Sequence, residues 1–154
     1  MPEFQLGSIS TGTLRPEDLL PTFIESLTAI GGNIPDDIAC GTHLEYTNLP
    51  SYSSVGVIDA DDAFWQSDDA RDDVDALIGA LEECCPPFIY FGSLPGDGAD
   101  FGFWPDWDAL GDIGAQCVRD ICEHQLLEYG IIVVKTKEAY TVMDMDRNVL
   151  WSVV

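Results

Sequence analysis

Basic side chains are scarce in this sequence. Its 154 residues hold 4 Arg and 2 Lys against 19 Asp and 9 Glu, a formal net charge of -22. No stripe of Lys or Arg is present to neutralise phosphates, so the chain is not expected to bind nucleic acid directly. Long apolar runs are missing as well. None approaches the roughly 18 uncharged residues of a spanning helix, and no membrane role is expected. Met1–Thr13 has neither the basic start nor the apolar middle of a secretory leader, which gives the expectation of a cytoplasmic protein. There is no Walker loop, dinucleotide fingerprint, nucleophile elbow or zincin motif, so no cofactor is expected. Internal repeats and domain-dividing linkers are absent too.

What is present argues for a folded domain. Hydrophobic residues make up 46% of the chain. An acidic disordered tail would combine high charge with low hydrophobicity. A chain of this length buries a core without disulfide or metal. The cysteines, Cys40, Cys84, Cys85, Cys117 and Cys122, are odd in number and suit a reducing cytosol.

Residues 1–13 are read as a flexible leading segment and 14–154 as one acidic domain. Leu19, Leu20, Phe23, Ile24, Leu27 and Ile30 recur at helical spacing, which predicts a helix over about 19–30 after a short turn at 14–18. Residues 33–54 read as loop with one short strand at most, and Val55–Ile58 as a further strand. A second helix is expected over about 68–84, with Ser67 or Asp68 as its cap and Ala70, Val74, Leu77, Ile78, Leu81 and Cys84 inward. Phe88–Phe91, the turn Pro95–Gly98 and Asp100–Trp104 read as a hairpin. A third helix is expected over about 107–129, then strands at 131–134, 139–143 and 149–153. The whole predicts an α+β fold, an antiparallel sheet of about four to six strands carrying two or three helices.

Three clusters invite chemistry and each has a plainer reading. Cys40, His43, Cys122 and His124 are the residue types of a tetrahedral zinc site, but a Cys-x-His pair on a helix aims poorly at one metal. Small buried cysteines explain them better, and a Cys–His catalytic pair lacks an identifiable orienting group. Asp144-Met145-Asp146-Arg147-Asn148 begins like a calcium loop. Val149 stands where that loop needs glycine, and a hairpin turn is expected instead. Asp97, Asp100, Asp106 and Asp108 are near in sequence and would gather a divalent ion only incidentally.

The distinctive signal is the placement of charge. From Asp36 to Glu128 there are 21 acids against Arg71 and Arg119. Asp59, Asp61, Asp62, Asp68, Asp69, Asp72, Asp73 and Asp75 crowd seventeen residues around the second helix, with Asp69, Asp72 and Asp73 expected on its outer face. Such a surface repels itself. Carboxylates fixed on a fold would imitate DNA phosphates and attract the basic surface of a host DNA- or RNA-binding protein. Trp104 or Trp107 would anchor the complex, since aromatics dominate interface hot spots. The alternative is a salt-adapted acidic structural or interaction protein, and behind it a metal-dependent enzyme.

The segment Phe91-Gly92-Ser93-Leu94-Pro95-Gly96-Asp97-Gly98-Ala99-Asp100-Phe101-Gly102-Phe103-Trp104 resembles one found in small acidic proteins of phages and bacterial mobile elements. Thr11–Leu20 resembles their start, which commonly precedes a helix. Together the two cover less than a fifth of the chain. The resemblance implies a setting, a phage-type inhibitor of a host nuclease, restriction enzyme or other defence component such as CRISPR. It assigns no site residue.

Overall fold

The computed structural model describes residues 4–49, 52–117 and 120–154. In chain order the elements are β1 (Gly7–Ser10), α1 (Pro16–Ala29), a 3-10 helix at Ala39–His43, β2 (Leu44–Leu49), β3 (Tyr52–Val57) and a 3-10 helix at Ala63–Gln66. There follow α2 (Asp68–Glu83), β4 (Ile89–Leu94), β5 (Asp97–Pro105), α3 (Trp107–Ala115), β6 (Cys122–Leu126), β7 (Ile131–Lys135), β8 (Tyr140–Asp144) and β9 (Val149–Val153). The fold is α+β, as expected, with three α-helices among the described residues. The strands divide into a three-stranded sheet ordered β1-β5-β4, the hairpin β2-β3 and a four-stranded sheet ordered β6-β7-β8-β9. Two compact units result: Ser8–Cys85 with Phe91–Gly102, and Met1–Gly7 with Pro86–Tyr90 and Phe103–Val154. The segment expected to lead the domain as flexible chain contains β1. Residues 1–3 of that segment, 50–51 of the expected loop and 118–119 of the expected third helix, Arg119 among them, lie outside the described residues.

The first unit is built on α1 and α2. Leu20, Phe23 and Leu27 of α1 are fully buried, and Phe23 meets Phe91 and Phe101 edge-on at 5.3 and 5.4 Å. α1 starts earlier than its periodicity predicts. Pro16 takes the first helical position, where the missing N–H costs nothing, and Pro21 is carried inside the helix. Burial of five apolar residues on that face outweighs the one lost backbone bond. α2 begins where expected: the Ser67 hydroxyl accepts the Ala70 N–H at 3.3 Å. The chain leaving α1 passes so close that a Cβ at Gly32 would overlap Leu27 Cδ1 and stand 2.8 Å from Cys84 Sγ. Gly32→Ala is therefore expected to cost about 1–3 kcal/mol of stability in urea unfolding, because Leu27 has no room to yield.

Residues 33–54, read as loop with one short strand, hold that strand as β2, and the strand expected at Val55–Ile58 begins earlier, at Tyr52. β2 pairs antiparallel with β3, from Leu44 opposite Val57 to Leu49 opposite Tyr52. Asn and Thr do not announce a strand. Pairing with β3 makes one, and the Glu25 carboxylate of α1 accepts the Val55 N–H at 2.8 Å to hold β3 in place.

In the second unit the long third helix is corrected. α3 ends at Ala115, and Cys122–Leu126 form an edge strand paired with Ile131–Lys135. Gly111 and Gly114 lower helix propensity, whereas the strand gains a ladder to β7. Ile121, within the span expected to be helix, is 66% exposed. Cross-strand register puts His124, Val133, Val142 and Trp151 in one row on one face of the sheet. Trp151 is fully buried and its indole N–H donates to the Pro87 carbonyl at 2.9 Å. The terminal strands and the turn between β8 and β9 fall where the sequence predicts them. Cys117 and Cys122 form a disulfide, which the odd cysteine count and the cytosolic reading do not anticipate. Cys40, Cys84 and Cys85 are free.

Candidate protein-binding surface

The acidic residues sort into those that face water and those that hold the fold. Asp59, Asp61, Asp68, Asp69, Asp72 and Asp75 are exposed, and Asp62 is half-buried. Asp68 and Asp69 occupy the first turn of α2, where they favour the positive end of the helix. Arg71 lies among them and is hydrogen-bonded to Asp68 at 3.1 Å. Arg15 likewise pairs with Glu17 and Arg147 with Glu123, so every Arg among the described residues is joined to an acid.

Asp73 is a correction. It does not lie on the outer face of α2 but is 4% exposed, on the same stripe as Ala70, Leu77 and Leu81. Its two oxygens accept the backbone N–H groups of Ala39 and Cys40, at 2.9 and 2.7 Å, at the start of the first 3-10 helix. The Cys40 thiol is pushed up to about 12, chiefly by burial and then by its hydrogen bond to Asp73. It is therefore no nucleophile at neutral pH. Sequence reading also misses two acids with the same kind of task. Glu25 binds the β3 backbone, and Glu82 accepts the Phe91 N–H of β4. Asp73 lies on the buried stripe of α2, whereas Glu25 is half-buried and Glu82 exposed, so no shared helical position marks the three in the sequence.

The Asp59–Asp62 turn is built from its own side chains. Asp59 accepts the Asp61 N–H at 2.9 Å, and Asp62 accepts the Phe64 N–H at 2.9 Å as the cap of the second 3-10 helix. His43 Nδ1 lies 2.8 Å from the other Asp62 oxygen. The Phe64 N–H first, and His43 next, hold the Asp62 carboxyl below the usual range.

The aromatic candidates belong to the second unit. Trp107, in the first turn of α3, is 54% exposed, with its ring 6.3 Å from that of Tyr140. Trp104 on β5 is half-buried.

The four residues of a notional zinc site are divided. Cys40 and His43 belong to the first unit, and Cys122 and His124 lie on β6 in the second. Cys122 is in a disulfide, and His124 is on a strand rather than the expected helix. Among the described residues no three His, Cys, Asp or Glu are placed to hold a metal ion. Asp97 accepts the Ala99 N–H at 3.1 Å in its turn, and Asp106 caps α3 by accepting the Ala109 N–H at 3.0 Å. Asp108 follows in the first turn of α3, and Asp100 keeps one buried oxygen without a hydrogen bond.

The calcium-like segment is a hairpin turn. Asp144 accepts the N–H groups of Asp146 and Asn148, both at 2.9 Å, and the Asn148 side-chain amide at 2.8 Å. The Asn148 side chain and then its backbone hold the Asp144 carboxyl below the ordinary range. A carboxyl depressed in the folded state contributes stability that is present above its unfolded pKa of about 3.9 and is lost as pH falls through the folded value. The stability gap between the parent and Asp144→Asn is thus expected to be constant above about pH 5 and to close in more acid solution, as read from urea titrations at stepped pH.

No helix among the described residues is long and apolar enough to cross a membrane. Comparison of the chain with family models, curated proteins and solved structures found no match.

Proposed function

We propose that this chain is an acidic protein-binding inhibitor, rather than an enzyme, that mimics DNA charge and blocks a host nucleic-acid-binding or defence protein. The observation that carries this reading is the set of exposed carboxylates on a rigid helix. Asp68, Asp69, Asp72 and Asp75 span about 10 Å of helix axis, roughly one charge per 3.5 Å. Phosphates along one DNA strand rise by about 3.4 Å. The only base within that run, Arg71, is tied to Asp68. Asp59, Asp61 and Asp62 extend the charge on a turn whose backbone is fixed by hydrogen bonds. Short Asp side chains keep their charge close to that frame.

The phage-type setting rests on the two resembling segments. They meet in the first unit, where the Gly12 N–H donates to the Ala99 carbonyl at 3.0 Å. The site of action in this reading is the bacterial cytoplasm. Binding is expected to be fast and salt-sensitive.

The test is capture from bacterial lysate with the intact chain at low salt, followed by elution with duplex DNA. The reading predicts a DNA- or RNA-binding protein that DNA displaces and high salt releases. Retention of no such protein, or one indifferent to DNA, overturns it. Folding only in molar salt would favour a salt-adapted surface, the reading suggested by the excess of Asp and the two lysines.

A further inference from the structure

We infer that His43 is a positioning residue that locks the acidic turn Asp59–Asp62 into one conformation. One residue grips both ends of this segment. At the near end the His43 carbonyl accepts the Ile58 N–H at 3.1 Å. At the far end its Nδ1 meets Asp62 Oδ2 at 2.8 Å. Between them the imidazole lies flat on Phe64, with ring centres 4.1 Å apart and planes 5° from parallel, and Trp65 stands edge-on at 5.9 Å. Trp65 is 2% exposed, and its indole N–H donates to the Asp59 carbonyl at 2.8 Å. The turn is thereby fastened to a buried anchor on one side and to His43 on the other.

The residue type follows from these contacts. The position asks for a flat aromatic face and a hydrogen-bond donor on the same ring. A carboxylate partner keeps the proton on Nδ1 in the neutral ring, and the charged ring carries it there as well, so the donor persists in both states. The other Asp62 oxygen is engaged by the Phe64 N–H. Asp59 and Asp61 are the charged neighbours within the turn itself. The lock is a property of the chain alone, so its test needs no partner.

Amide hydrogen exchange by NMR on the full chain provides that test. His43→Phe keeps the stacking face and loses the donor. It is expected to raise exchange at Asp61, Phe64 and Trp65 about tenfold, the factor that corresponds to losing a hydrogen bond to a charged group. His43→Asn keeps a donor near the Nδ1 position and is expected to restore most of that protection. Leu77 and Leu81 in α2 should exchange as in the parent in both variants. Parent-like protection in His43→Phe, or loss spread equally to Leu77 and Leu81, overturns the proposal. The nitrogen shifts of the parent imidazole decide independently of any variant. A ring that carries a proton on Nδ1 is expected, and a ring protonated at Nε2 alone overturns the lock.

Discussion

Replacing Asp73 with alanine is expected to lower the free energy of unfolding by about 3 kcal/mol. The substitution removes the acceptors of two backbone N–H groups, that of Ala39 at 2.9 Å, part-buried, and that of Cys40 at 2.7 Å, buried. Each buried donor left without a partner costs about 1–3 kcal/mol. The packing around Cys40 and Ala70, both fully buried, leaves little room for water to take over. Asp73→Asn should fall between parent and alanine, because its one amide oxygen replaces one of the two acceptors while its NH2 faces the other N–H. Urea unfolding measures all three. Cys40 provides a second reading: its alkylation in the native state should quicken in Asp73→Ala as the 3-10 helix opens more often. A loss below about 1 kcal/mol would return Asp73 to the outer face that the sequence pattern predicts.

Changing Asp68, Asp69, Asp72 and Asp75 together to lysine is expected to weaken binding to a basic partner by about a thousandfold or more at low salt. Like charges brought together at an interface cost several kcal/mol. Stability should move little. Two effects oppose each other: the first turn of α2 loses favourable charges at its positive end, while the acidic surface loses self-repulsion. Asp73 is left alone in this variant, since reversing it would break the fold rather than the surface. The matched control reverses Asp108, Asp112, Glu138 and Asp146, exposed acids of the second unit, and changes net charge by the same amount. If that control weakens binding equally, total charge governs the interaction and the surface is misplaced. Both variants are compared by surface-immobilised binding across a salt series.

The contrast between these two experiments marks where sequence reading succeeds and where it stops. The stripe Ala70, Leu77 and Leu81 is legible from spacing alone, and so is the cap at Ser67. Asp73 occupies that same stripe, three residues after Ala70 and four before Leu77. Hydropathy assigns a carboxylate to solvent. Only the arrival of Ala39 and Cys40, more than thirty residues away, gives this one a reason to be inside. Glu25 and Glu82 repeat the lesson at β3 and β4. The orienting group that the sequence does not reveal for His43 is Asp62, nineteen residues further on.

Helix three fails for a related reason. Leu110, Ile113, Cys117 and Ile121 keep a helical rhythm past the point where the helix stops. A rhythm records which residues are apolar, not where a helix stops, and β6 begins at Cys122, directly after the last of them. Pairing with β7 decides between helix and strand, because hydrogen bonds between strands depend on a partner that lies later in the chain.

By itself the sequence determined the α+β class, the inward stripes of α1 and α2, the two C-terminal hairpin strands with their Asp144 turn, and the crowding of negative charge between residues 59 and 75. These are local or compositional properties, set by spacing, turn chemistry and residue type. Tertiary structure alone decided which acids are scaffold and which are surface, that Cys122–Leu126 is a strand, and that His43 meets Asp62. Each of those depends on backbone donors or side chains brought from distant parts of the chain, whose positions no local pattern records.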